Sequence, residues 1–297
     1  MPDPTEPTAP TEPTARAGAA TEPAASADPF LGALAGGARI YDLGRPMFVG
    51  MPQSPNHPEF RLALQRRHGD QMRADGSSAS NELIVTGGHV GTHIDALSHV
   101  SFQGRLHGGV EAAEAQQGGR FSVLGVDTIE PMVCRGVLLD VPAALGIEAC
   151  EPAYEVTPSD LEAAAGAGSP PEPGDVILVR TGWGRRFEDR DAFIGRDSGV
   201  PGPGEAGAYW LAERRPRAVG ADSIAFERLA PAAGHALLPA HRVLLVEAGI
   251  HIIEVLDLEE LASAGVREFL FVLSPLRLVG GTGSPVRPLA VVGASRP

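Results

Sequence analysis

His89-Val90-Gly91-Thr92-His93-Ile94-Asp95-Ala96-Leu97-Ser98-His99 packs three of the chain's nine histidines and one aspartate into a single short stretch. Neutral imidazoles with a carboxylate are the donor set that Zn²⁺, Mn²⁺ or Fe²⁺ favours. His89 and His93 stand four residues apart, and so do Asp95 and His99. Gly87-Gly88 precede the stretch and Gly91-Thr92 lie within it. That pattern predicts a loop turning off a strand, where backbone can bend tightly around an ion. Two histidines and one aspartate supply three ligands and leave coordination positions open, the mark of a catalytic rather than a structural metal. A single histidine here would read as a loop hydrogen-bonder; three at this spacing beside an aspartate do not.

Outward from this stretch, strand and helix signals alternate. Strands are predicted at Arg39–Leu43, Glu82–Thr86, Gly136–Val141, Asp175–Thr181, Ala218–Ala221, Ile250–Glu254, Glu268–Leu273 and Pro288–Val292. Thr157-Pro158-Ser159-Asp160 opens a helix: Thr caps it, Pro sits first and an acid occupies the first turn. Further helices are predicted over Gly204–Arg215, Leu237–Glu247 and Leu258–Ala264. The mixture defines an α/β or α+β class built on one mixed sheet. Gly280–Gly283 reads as a tight structural turn rather than a phosphate loop. Arg214, Arg215 and Arg217 read as a solvated helix end that complements the macrodipole.

Composition removes several functions. All 24 basic residues among the 297 are Arg, and Lys is absent. Without Lys there is no Schiff base and no P-loop of the usual kind. A net charge of −13 is unsuited to wrapping nucleic acid. Cys134 and Cys150 are too few for a disulfide framework and lack CxxC spacing, which fits a reducing compartment. No apolar run has membrane-spanning length, and the N-terminal residues show neither the basic nor the apolar region of a secretory signal, so a cytoplasmic protein with a small-molecule partner is expected. Residues 1–37 repeat Thr-Glu-Pro and hold almost no large apolar side chains. They are expected to form a disordered tail, with one domain over residues 38–297.

The motif His89-Xaa-Gly91-Thr92-His93-Xaa-Asp95, followed by His99, resembles the cyclase family, which includes isatin hydrolase and bacterial kynurenine formamidase. Arg135–Val141, Arg180–Trp183, Pro201-Gly202 with Trp210-Leu211, Gly220–Ser223, and His241 through Glu254 are similar to its recurring segments. Gly280–Pro288 resembles the longer, isatin-hydrolase branch. Leu97 stands where the compact formamidases usually carry Pro, a departure that favours the same branch.

The resemblance implies a swivelling β/β/α fold, a mixed sheet with flanking helices, and a homodimer or larger assembly. It implies that His89, His93 and Asp95 bind metal and that His99 gives and takes the proton. His241 and Glu254 would complete a centre of one or two ions, Mn²⁺ or Zn²⁺. Glu254 ends an apolar stretch, Ile250–Glu254, where an unpaired carboxylate is costly unless a cation meets it. The implied reaction is hydrolysis of an amide or lactam C–N bond in a small aromatic or cyclic substrate by metal-activated water. The alternatives are a lyase or cyclisation enzyme using the same metal, and a 2-His-1-carboxylate iron oxygenase. A non-enzymatic metal protein ranks last.

Phe48, Trp183 and Trp210 are the candidate walls of a substrate pocket. His107, in a Gly-rich loop, is a candidate for its mouth, whereas His57, His68, His235 and His251 are expected in loops or on surfaces. From composition, a chain beginning near Gly36 should keep the melting temperature and activity of the full chain. A large loss of either in a side-by-side thermal melt and assay would show that the tail docks.

Overall fold

The computed structural model describes residues 37–168 and 170–293. The predicted tail lies outside the described residues except for Gly37. Residues 39–292 form one unit. The strands, in chain order, are β1 (Ala38–Asp42), β2 (Arg61–Arg66), β3 (Asn81–Val85), β4 (His93–Asp95), β5 (Gln116–Gln117) and β6 (Arg120–Phe121). Then come β7 (Met132–Asp140), β8 (Glu155–Val156), β9 (Val176–Arg180), β10 (Gly202–Pro203) and β11 (Ala218–Ala221). The last four are β12 (His251–Glu254), β13 (Glu268–Leu273), β14 (Gly283–Pro285) and β15 (Leu289–Gly293).

Nine of them make one sheet, in the order β1-β15-β13-β7-β9-β11-β12-β4-β14. The centre β7-β9-β11-β12 is parallel. Antiparallel pairs flank it, β13 with β7 and β15 on one side and β4 with β12 and β14 on the other. The mixed α/β class is therefore as expected. Central strands are apolar throughout because both faces are covered. Side chains alternate between two cores: Val137, Leu139, Ile177, Val179, Val219 and Ile252 face one. Leu138, Val176, Leu178, Ala218, Ile253 and Ile94 face the other.

Helices Pro158–Gly166 and Glu205–Glu213 cover the first face through Leu161, Ala164, Ala208 and Leu211. The first of these starts as its sequence predicts, with a Thr157/Asp160 capping box and Pro158 in the first turn. Helix Glu259–Ser263 buries Leu261 on the second face.

Three features depart from expectation. Glu82–Thr86 does form a strand, β3, but it pairs with β2 in a separate hairpin instead of joining the main sheet. Leu237–Glu247 becomes a short α-helix, Pro239–His241, continued by a π-helical segment, Arg242–Ala248. His93–Asp95, predicted as loop, is a sheet strand. Its three residues are too few for a periodicity signal, and its pairing partners lie more than 150 residues downstream.

Two of the family-like segments meet through Asp222, at the end of β11. The buried Asp222 carboxylate accepts from Thr181 N (2.9 Å), Thr181 Oγ1 (2.6 Å) and Gly182 N (2.8 Å), fixing the turn after β9. Asp222→Ala leaves these donors buried without an acceptor. It should cost about 3 kcal/mol in chemical denaturation, and a change within experimental error would refute this role.

Candidate metal centre

β4 lies between two antiparallel neighbours. His93 stands opposite Glu254, and Asp95 opposite Ile252. Alternation along a strand then puts His93, Asp95 and Glu254 on one face, while Ile94 and Ile253 pack into the core behind. On the other side Gly283 stands opposite Asp95. A Cβ on Gly283 would lie 2.5 Å from His89 Cε1, so only glycine lets the His89 ring lie there. The Gly280–Gly283 segment is thus a turn that ends as a strand against the site.

Thr92 explains its place in the motif. Its hydroxyl donates to Val255 O (2.6 Å) and accepts from Arg45 N (2.8 Å), tying the stretch to the end of β12.

His241 arrives from the helix preceding the π-helical segment, a backbone irregularity frequent at functional sites. Glu227, absent from the sequence-based site, orients it. Its carboxylate accepts from Ala240 N (3.0 Å), His241 N (2.9 Å) and His241 Nδ1 (2.7 Å). Glu227 is also buried. An isolated glutamate in Ala225-Phe226-Glu227-Arg228 carries no metal-site spacing, and only burial reveals it. Phe226 (φ 56°) and Val255 (φ 58°), the neighbours of Glu227 and Glu254, hold left-handed backbone. Bulky residues there cost about 1–3 kcal/mol, a strain that clusters at functional sites.

The donor atoms converge. His93 Nε2 is 3.4 Å from Glu254 Oε2 and 3.6 Å from Asp95 Oδ1. His241 Nε2 is 3.2 Å from Glu254 Oε1 and 3.6 Å from Asp95 Oδ2. His89 Nδ1 is 2.7 Å from Asp95 Oδ1. His89, Asp95 and His99 make one compact ligand-type group, and Asp95, His241 and Glu254 make another, sharing Asp95. All but the half-buried His99 are buried.

Asp95 Oδ2 has no hydrogen-bond partner, although it is shielded from solvent. A bare buried carboxylate oxygen facing imidazole nitrogens fits a divalent cation better than it fits protein alone. Tautomers agree: His93 Nδ1 lies 2.7 Å from Gly91 O and His241 Nδ1 lies on Glu227. Both Nε2 lone pairs therefore face the cluster.

The charge balance tells the same story. Burial raises the Asp95 carboxyl, but the His99, His89 and His241 imidazoles outweigh it and hold it well below the usual range. Burial likewise opposes ionisation of Glu254, yet His241 and His93 bring it to about 2. Burial lowers His93, but Glu254 and Asp95 raise it to about 8; the same carboxylates with Glu227 raise His241 well above 6.5. The carboxylates demand positive charge, which protons on His93 and His241 or a bound cation can supply.

The cluster opens into a cavity of about 30 Å³, lined among others by Gln53, His57, His89, His99, His235 and Ile224. His57 and His235 lie in loops, as expected, and both line the cavity. His57 stacks on His89 (5.3 Å between centroids), which stacks in turn on His99 (3.8 Å). Burial, with the charges of His89 and His93, lowers His57 to about 4. His251 is half-buried in β12, its Nδ1 2.9 Å from Asp95 O. His68 is exposed in a turn, as expected, and hydrogen-bonded to Ser78.

His107 does not line this cavity: its Nδ1 lies 3.0 Å from Val246 O, and its ring packs on Gly249. Nor do Phe48, Trp183 or Trp210. Trp183 is fully buried beside Phe187 and Phe193, with its indole N–H donating to Phe193 O. Trp210 donates to Glu162 beneath the Arg214 guanidinium. Phe48 sits on the Phe187 edge, 43% exposed. Their aromatic surface was the sequence signal, and packing uses it elsewhere.

A mixed sheet carrying a buried His/Asp/Glu cluster at its edge defines an α/β protein with a site suited to a divalent metal. The Cyclase family model matches residues 41–228, and the chain belongs to that family. Isatin hydrolase of Roseibium aggregatum is 24% identical over 223 residues, which span 74% of this chain and 77% of that protein. Cyclase-like protein 3 of Oryza sativa subsp. japonica is 29% identical over 221 residues, 73% of this chain and 67% of that protein. A crystal structure described as a novel cyclase superposes with a TM-score of 0.76 at 28% identity, covering 86% of this chain and 87% of the other.

Glu227→Gln replaces an acceptor-only group by an amide whose NH₂ faces N–H donors. Zn²⁺ or Mn²⁺ affinity, read by calorimetric titration, should fall about 10–100-fold while the far-ultraviolet circular dichroism stays unchanged. Undiminished affinity would refute the orienting role.

Proposed function

We propose that this chain is a metal-dependent hydrolase of amide or lactam C–N bonds in a small substrate. The observation that carries the reading is the shared Asp95, whose unpartnered Oδ2 lies among the inward-facing nitrogens of a buried donor set. His89, His93, Asp95, His241 and Glu254 are the residues that would hold one or two Mn²⁺ or Zn²⁺ ions. When bound, such an ion lowers the pKa of water toward neutrality and polarises a carbonyl. The sequence relative that is an isatin hydrolase supports the C–N hydrolase class.

The remaining work falls to the chain. His99 flanks the cluster, and burial, reinforced by the charges of His89 and His241, lowers it to about 4. It is therefore a neutral imidazole near pH 7, able to accept a proton during attack and return it to a leaving nitrogen. His89, stacked on it and hydrogen-bonded to Asp95 and Thr282 Oγ1, fixes its ring plane. Ile224, Leu238 and Val255 give the cavity an apolar wall that limits water.

A lyase using the same centre is the second reading, since the donor geometry is common to both. Incorporation of ¹⁸O from water into product marks the hydrolase and its absence the lyase. An iron oxygenase needs only a facial triad, whereas five inward side chains from β4, β12 and the flanking segments gather here.

The metal-replete chain should hydrolyse a member of a panel of N-formyl aryl amines, isatins and cyclic imides. His99→Ala should then keep its metal and lose about 10²–10⁴-fold in kcat, with KM little changed. Metal content and kcat are measured on one preparation. A metal-depleted variant rescued by added metal would make His99 a ligand instead, and near-native turnover would make it structural.

A further inference from the structure

The metal cavity, at about 30 Å³, cannot hold an organic molecule by itself. Two other spaces adjoin it. A hollow of about 590 Å³ shares Gln53 and His57 with it, and a cleft of about 60 Å³ shares Ile224 and His235. The cleft and the hollow share Pro55, Ile194, Gly195 and Arg196 with each other. The three spaces are therefore neighbours, separated by shared side chains, and the metal cluster lines one of them.

The cleft differs in chemistry from its neighbours. Pro55, Ile194, Ile224, Leu229 and Ala230 make its wall, and Arg196 and His235 are its ionisable groups. The acids Glu59, Asp191 and Asp197 line the hollow and not the cleft. The chain places Arg196 here by local rules. Gly195, at φ 60°, ends helix Arg190–Ile194, and a Cβ there would stand 2.6 Å from Gly199 O. Arg196 O then accepts from Ala232 N (2.9 Å), which pins this rim to the loop carrying Gly234 and His235. The exposed Arg196 guanidinium has no hydrogen bond or ion pair among the described residues, and among them it is the one arginine that lines the cleft. An unpaired guanidinium at the rim of an apolar cleft suits a ligand that is apolar in its body and anionic at one end.

Resting on the hydrolase reading, we propose that this cleft is the specificity subsite. It takes a compact apolar group attached to the scissile amide, and Arg196 pairs with a carboxylate of the same molecule. The substrate is then an anionic amide rather than a neutral one.

The test compares formanilide with 2-formamidobenzoate, which differ by one carboxylate, on the metal-loaded full chain. The native protein should favour 2-formamidobenzoate in kcat/KM. Arg196→Gln, a change at an exposed side chain, should reduce that preference about fivefold. Ala230→Phe, which fills the cleft, should raise KM for both probes about tenfold or more.

If neither probe is hydrolysed, the hydrolase reading stands when an isatin or a cyclic imide is turned over and falls when nothing in the panel is. Calorimetric affinity for the same two probes then decides the cleft by the same pattern. Equal treatment of the two probes by the native chain overturns the proposal. So does a preference that survives Arg196→Gln, or a KM (or affinity) indifferent to Ala230→Phe.

Discussion

Two carboxylates buried within 3.6 Å of the same two histidines set the terms for this structure. Asp95 and Glu254 are 0% and 6% exposed. Desolvating two like charges side by side is prohibitive without compensating positive charge. Every nearby element answers that demand. β4 and β12 bring the carboxylates together, His93 and His241 turn their Nε2 atoms inward, and Gly91 O and Glu227 hold the outer nitrogens so that neither ring can turn away. The cluster has the logic of a cation site: acids first, imidazoles with fixed tautomers second, and one carboxylate oxygen left for an ion.

The sheet makes this arrangement rigid. β4 is three residues long, yet it is hydrogen-bonded on both sides, to β12 and β14. Its middle residue, Ile94, is sealed in the core. A one-residue slip would send His93 and Asp95 into that core and expose Ile94 to the cluster, so burial fixes the register. The left-handed Val255 and Phe226 mark where the backbone is bent to present Glu254 and Glu227. Thr92 spans the gap to Val255 O and links one bend to the motif itself. Strain at such points persists only because the surrounding packing over-determines it.

The surroundings of the cluster differ in chemistry. The histidine stack His57-His89-His99 lines the cavity, the cleft that shares Ile224 and His235 with it is largely apolar, and the hollow that shares Gln53 and His57 is charged. The described residues contain no helix long and apolar enough to cross a membrane. The hairpin of β2 and β3 leaves Leu62, Leu64, Leu83, Ile84 and Val85 exposed.

The sequence by itself determined the chemistry that could be present. His89, His93 and Asp95 announce a ligand set because their spacing is local, and spacing is what a sequence displays. The apolar runs of β7, β9 and β13 and the capped helix at Thr157 are local in the same way, and the structure has them in place. His241 was legible only through family resemblance, and Glu254 through that resemblance and one local sign, an acid closing an apolar stretch; the sequence does not otherwise link either to the motif. Tertiary structure alone decided the rest. It made His93–Asp95 a strand, because its partners are distant in the chain. It recruited Glu227, His57 and His235, whose local sequence is unremarked until burial and orientation are known. It withdrew Trp183 and Trp210 into packing, because a large aromatic ring gains as much by filling a core as by lining a pocket. Composition states which groups a chain can bring; only the closing of the sheet states which of them lose water together, and loss of water is what turns a carboxylate into a metal ligand.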